Sequence, residues 1–179
     1  GLRAWLRVRW VAMACRFVAG SVPVALLLTG CTTYPVGNRQ AVSDCPACAA
    51  GTVELPLLPG ALSYPIVEVA INGRPGYRFL FDTGAMGTLI FRHPRTADLA
   101  LSSRGEIAIG GLGDGARPVA QVAPGVVLQL GPLTLRDMTV LVLPVDRLAL
   151  FGSPDLVFID GIIGNDLWTR FGVEVDAAG

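Results

Sequence analysis

The chain of 179 residues has no lysine and one histidine, His93. Its 14 cationic side chains are all arginine, and 14 Asp and Glu residues bring the formal net charge to zero. Without lysine there is no phosphate-binding loop of the Gly-Lys-Ser/Thr type. With one histidine there is no His-Glu-x-x-His zinc helix, and a Ser-His-Asp triad would have to use His93. That residue precedes Pro94 in a predicted loop, so we read it as a loop histidine. The neutral balance gives no electrostatic basis for a nucleic-acid partner. Charged residues are scarce (16%) and apolar ones abundant (52%), which excludes a disordered chain. No uncharged apolar run approaches the roughly 20 residues of a membrane-spanning helix. The sequence calls for no metal and no cofactor.

What is abundant is glycine (22) and proline (13), which punctuate many short apolar runs. That pattern excludes a helical bundle and predicts an all-β domain. The front of the chain is different. Arg3, Arg7, Arg9 and Arg16 precede the apolar run Phe17 to Leu28, which fits a secretory signal peptide. The run ends in Leu28-Thr29-Gly30-Cys31, which resembles the lipobox of bacterial lipoproteins. By that resemblance residues 1–30 are a signal, with Met13 as an alternative start, and Cys31 is the lipidation site. Thr32, in place of Asp, implies an exported protein anchored in the outer membrane and facing the periplasm. Residues 31–52 read as a flexible tether. It contains Cys45-Pro46-Ala47-Cys48, for which a small linker disulfide is favoured over a redox pair, because no strand–helix context surrounds it. Two cysteines without a partner histidine make a poor zinc site.

Residues 53–179 read as the folded domain. Val67, Val69 and Ile71 alternate with polar or small residues, Asn72-Gly73-Arg74-Pro75-Gly76 is turn chemistry, and Tyr77, Phe79 and Phe81 alternate again. This predicts a hairpin. A second hairpin is expected from Glu106–Ile109 and Pro118–Val122 around a glycine-rich tip. Further strands are expected at Val126–Leu130 and at Met138–Val142. A helix capped by Asn165 is expected to carry Leu167, Trp168 and Phe171 on one face and to end at Gly172, with a strand from Val173. A small closed β-barrel accommodates so many short strands.

The apolar strand Tyr77–Phe81 runs directly into Asp82-Thr83-Gly84-Ala85. There the Gly84 N–H and the Thr83 hydroxyl can hold the Asp82 carboxylate, as a positioned catalytic acid requires. An ordinary Asp turn is the plain alternative. With two apolar residues before the motif and a small one after it, chance gives this pattern at only roughly 0.3%. Ile162-Ile163-Gly164 supplies a second apolar-apolar-Gly element ahead of the short helix.

With these elements, residues 66–176 resemble the retropepsin-like aspartic proteases, in particular the bacterial single-domain group. The resemblance rests on Leu80-Phe81-Asp82-Thr83-Gly84-Ala85, on the glycine-rich hairpin, and on Asp160-Gly161-Ile162-Ile163-Gly164-Asn165-Asp166-Leu167. It implies a small closed β-barrel with a flap hairpin and one short C-terminal helix. Asp82 is then the catalytic acid and Thr83 and Gly84 its supports. The flap is Gly110, Gly111, Leu112, Gly113, Asp114 and Gly115. Asp160 and Asp166 match acidic positions common in the family and are read as non-catalytic. Met86 departs from the family, which often has a small hydroxyl residue there. The domain also ends where the family has a final strand that pairs across a dimer. The chain has one Asp-Thr-Gly, whereas this chemistry needs two carboxylates sharing a proton. The resemblance therefore implies a homodimer that hydrolyses peptide bonds with an Asp82–Asp82 dyad. The alternative is a non-catalytic peptide- or partner-binding envelope lipoprotein of the same fold.

Overall fold

The computed structural model describes residues 5–10, 42–44, 52–58, 64–109, 118–144, 159–168 and 171–176. The expected lipidation site Cys31, the pair Cys45 and Cys48, and the flap residues Gly110–Gly115 lie outside the described residues. Among the described residues, eleven strands and one helical turn occur in the order β1 (Trp5–Trp10), β2 (Val42–Asp44), β3 (Thr52–Pro56), β4 (Ile66–Ile71), β5 (Arg74–Phe81), β6 (Leu89–Arg92), β7 (Glu106–Ala108), β8 (Val119–Leu130), β9 (Leu133–Pro144), β10 (Gly161–Ile163), α1 (Asn165–Trp168) and β11 (Phe171–Asp176). Among the described residues no helix is long and apolar enough to cross a membrane.

Six strands close into a barrel in the order β9-β6-β10-β5-β4-β8, and pairing of β8 with β9 completes the ring. β2 extends the sheet beside β9, and β7 extends it beside β8. The architecture is thus a small retropepsin-like barrel, nearly all β. Side chains alternate between two buried clusters, as the two-residue period of a strand dictates. Val67, Val69, Ile71, Tyr77, Phe79, Phe81, Ile90, Val140, Val142 and Ile163 belong to the larger cluster, which draws on all six barrel strands and forms the interior. Ile66, Leu80, Leu89, Phe91, Leu141, Leu143 and Ile162 belong to a second cluster on the opposite face. Burial on both faces explains why Phe79-Leu80-Phe81 and Leu89-Ile90-Phe91 are uninterrupted apolar runs. Each large side chain withdrawn from water contributes on the order of 1.5–3 kcal/mol.

The turns follow from local chemistry. Asn72 (φ 49°) and Gly73 (φ 80°) both take positive φ, as a two-residue turn joining β4 to β5 requires. Gly131 (φ 53°) opens the turn between β8 and β9, where Leu130 pairs with Leu133.

Several expectations are corrected. Val119–Leu130 is one strand of 12 residues, where the sequence suggests two separate strands around Pro124-Gly125. Those two residues produce a bulge instead of a break: the register with β9 shifts between Ala123 and Val126 and again between Val126 and Leu128. The helix is a single turn, and Phe171 opens β11 instead of completing a helical face. Phe171 pairs with Trp10 in that strand and is buried in the interior cluster. Two further strands lie outside the expected ones: β2 pairs with β9, and β1, in which Leu6, Val8 and Trp10 alternate with Arg7 and Arg9, pairs with β3 and β11.

Candidate active site

The site is built around the parallel pair β5–β10, in which Phe79, Leu80 and Phe81 face Gly161, Ile162 and Ile163. β10 also pairs antiparallel with β6, so it is wedged between the strand that enters the Asp82 turn and the strand that leaves it. This wedge needs glycine. A Cβ on Gly161 would lie 2.4 Å from both the Leu89 carbonyl oxygen and the Phe79 ring. A Cβ on Gly164 would lie 2.4 Å from the Gly87 carbonyl oxygen.

Asp82 leaves the end of β5 with its backbone N–H donating to Ile163 O at 3.0 Å. The turn closes where Ala85 N donates to Asp82 O at 3.3 Å, and it is tied to α1 where Asn165 N donates to Ala85 O at 2.8 Å. Gly84 N donates to Asp82 Oδ1 at 2.8 Å. Asp82 is half-buried, while Thr83 and Gly84 are exposed. Among the described residues, the Gly84 N–H is the one hydrogen-bond donor to the Asp82 carboxylate, and Oδ2 accepts none. Thr83 makes no hydrogen bond to that carboxylate within this chain. Met86 is 69% exposed, an apolar side chain in water beside the acid.

The other two acids are bound differently. Asp166 accepts from Thr88 N at 3.1 Å and from Thr88 Oγ1 at 2.8 Å, which latches α1 to the end of the Asp82 loop. Asp160 is fully buried and accepts from Arg78 N at 2.7 Å. Its Oδ1 also accepts from Arg95 Nε at 3.1 Å. His93 Nε2 lies 2.9 Å from the same oxygen without the alignment of a hydrogen bond. His93, Arg95 and Asp160 therefore pin the loop after β6 to the start of β10. Arg95 also donates to Gly76 O at 2.7 Å, which extends the tie to β5. Thr96 secures the loop from within, accepting from His93 N at 3.0 Å and donating to Phe91 O. Sequence reasoning flagged Asp160 and His93 separately and missed Arg78 and Arg95. The only local signal was the cation-rich loop Arg92-His93-Pro94-Arg95, whose acid lies 65 residues further on.

The strands flanking the expected flap pair as a hairpin. Ala108 faces Val119, and Ile109 N donates to Pro118 O at 2.8 Å. Among the described residues no group of three or more His, Cys, Asp or Glu could hold a metal ion.

A closed six-strand barrel with one carboxylate turn, backed by a Gly-bearing strand and a single helical turn, defines a retropepsin-like barrel. The chain belongs to the aspartyl protease family, whose model matches residues 67–167, more than half of its length. No individual curated protein matches it.

Proposed function

We propose that this protein is an aspartic endopeptidase that works as a homodimer, with Asp82 of each copy forming the catalytic pair. The observation that carries this reading is the half-buried Asp82 carboxylate, held by the Gly84 N–H with Oδ2 left open, at the end of a barrel strand. Family membership supports the peptidase class. The stoichiometry follows from chemistry, because there is one such turn per chain. Two facing carboxylates cannot both ionise, so the pair holds one proton. The ionised member takes a proton from water, and the water oxygen attacks the scissile carbonyl. The protonated member donates a hydrogen bond to the carbonyl oxygen and stabilises the charge developing there. Thr83, Gly84 and Met86 are exposed in one chain, which suits a surface that meets a partner or a peptide. The flanking hairpin β7–β8 supports a flap role for Gly110–Gly115, closing over the peptide and excluding water.

The Leu28-Thr29-Gly30-Cys31 motif supports export and a lipid anchor at Cys31, facing the periplasm from the outer membrane. The substrate is then a peptide or protein in that compartment.

The test is cleavage of a mixed peptide library by the parent and by Asp82→Asn. The variant should lose at least about a hundredfold in rate, since general acid and general base are lost together. Undiminished cleavage would remove Asp82 from the chemistry. Peptide binding without cleavage by the parent would favour the binding lipoprotein.

A further inference from the structure

Among the described residues, Tyr64, Met86 and Val119 are the large apolar side chains left exposed, and all three border the candidate site. Met86 directly follows the Asp82 turn. In the β4–β5 register Ile66 faces Leu80, so Tyr64, two residues earlier, comes opposite Asp82. Val119 opens β8 beside the expected flap. A lone exposed apolar residue is ordinary, whereas several around one carboxylate mark a contact surface.

Met86 is the most exposed of the three, and the backbone around it shows why. On one side Ala85 O accepts from Asn165 N at 2.8 Å. On the other, Gly87 lies so close to Gly164 that a Cβ there would meet the Gly87 carbonyl oxygen at 2.4 Å. Thr88, one residue further, is held by Asp166. The loop is thus fastened to the start of α1 on both sides of Met86, which holds the thioether out in water. Met138 is the opposite case, 1% exposed within the interior cluster. Two sulfurs of the same chemistry therefore differ in access to dissolved oxidants, and access governs methionine oxidation.

We propose that Met86 is an oxidation site that tunes peptide binding at Asp82. The inference rests on the protease reading above and adds regulation to it. The oxidant is a hydroperoxide. A lone pair on Met86 Sδ attacks the outer peroxide oxygen, an S–O bond forms and the O–O bond breaks. The sulfur gives up two electrons and the peroxide takes them. The departing oxygen takes the proton of the transferred one and leaves as water or an alcohol. The thioether is flexible and polarisable and fits varied apolar partners. The sulfoxide is polar and must shed water before a peptide can cover it. Asp82 and its bond from the Gly84 N–H stay as they were. Peptide binding weakens, therefore, while the bound complex still reacts. The export proposed above puts the domain in an oxidising compartment, and a methionine sulfoxide reductase reverses the change.

The test treats the full chain and its Met86→Leu variant with hydrogen peroxide. Sulfoxides are mapped by mass spectrometry, and the same samples are followed by circular dichroism, sedimentation velocity and cleavage of one peptide selected from the mixed library. Met86 should oxidise at least about tenfold faster than Met138. The oxidised parent should keep its fold and its oligomeric state. Its KM should rise at least about fivefold with kcat within about twofold, and the reductase should restore it. Met86→Leu, judged against its own untreated rate, should not respond to peroxide. Equal oxidation of Met86 and Met138 would overturn the proposal. So would an unchanged KM, a loss carried by kcat or by dissociation of the dimer, an equal response in Met86→Leu, or a folded Met86→Leu that does not cleave beside an active parent. A parent that cleaves nothing before peroxide would sink the protease reading. Affinity for the labelled peptide then replaces KM: weakening by Met86 oxidation keeps the proposal, and unchanged affinity or no binding overturns it as well.

Discussion

Asp160 and Asp82 lie at opposite ends of the same parallel pair of strands. Asp160 directly precedes β10 and faces the middle of β5 through the Arg78 N–H; Asp82 directly follows β5 beyond the last residues of β10. The first is fully buried and surrounded by a backbone donor, a guanidinium and an imidazole. The second is half-buried and has one backbone donor. A buried carboxylate with both oxygens accepting hydrogen bonds serves structure, because its desolvation is offset by its partners. A carboxylate that is positioned but under-engaged remains free to take and give a proton. The contrast separates two acids that the sequence sets in Asp82-Thr83-Gly84 and Asp160-Gly161, and Asp166, latched to Thr88, falls with Asp160.

This division makes distinct demands on stability and activity. The largest effect should come from the glycine that lets the two strands meet. Gly164→Ala sets a methyl 2.4 Å from one carbonyl oxygen and 2.8 Å from another, both backbone atoms that cannot swing away. We expect a loss of more than about 4 kcal/mol or failure to fold, measured by urea denaturation. Asp160→Ala should follow at about 2–4 kcal/mol, because it leaves the Arg78 N–H without its acceptor and frees the loop after β6. Equal stability of that variant and the parent would break the contrast. Asp166→Ala removes two bonds to buried Thr88 and should cost about 1–3 kcal/mol. Asp82→Asn should change stability least, by less than about 1 kcal/mol, while abolishing cleavage.

How far the sequence foretold this arrangement differs from element to element. The β4–β5 hairpin was legible because Asn72-Gly73 is a turn signal that acts within two residues. The Asp82 turn was legible because an apolar strand, an acid and a glycine stand in direct succession. The length of β8 was not, since Pro124-Gly125 reads as a stop until pairing with β9 turns it into a bulge. α1 reads as longer than it is, because Phe171 fits a helical face as well as a strand, and pairing in β11 decides the matter. In β1 the alternation of Leu6, Val8 and Trp10 with Arg7 and Arg9 is a strand signal that the arginine-rich signal reading passed over, whereas β2, three residues long, owes its existence to a partner far along the chain. The Asp160 cluster was missed for the same reason, its members coming from β5, the loop after β6 and the approach to β10.

The central claim is that two copies of Asp82 make one site, and subunit mixing tests it most directly. Chains that dimerise and cleave peptide are mixed in equal amounts with Asp82→Asn chains at constant total concentration and left to exchange. If each active site needs Asp82 from both copies, only parental pairs are active, and cleavage falls to about a quarter of the unmixed rate. A fall to about half would mean that each chain works alone, and would contradict the account.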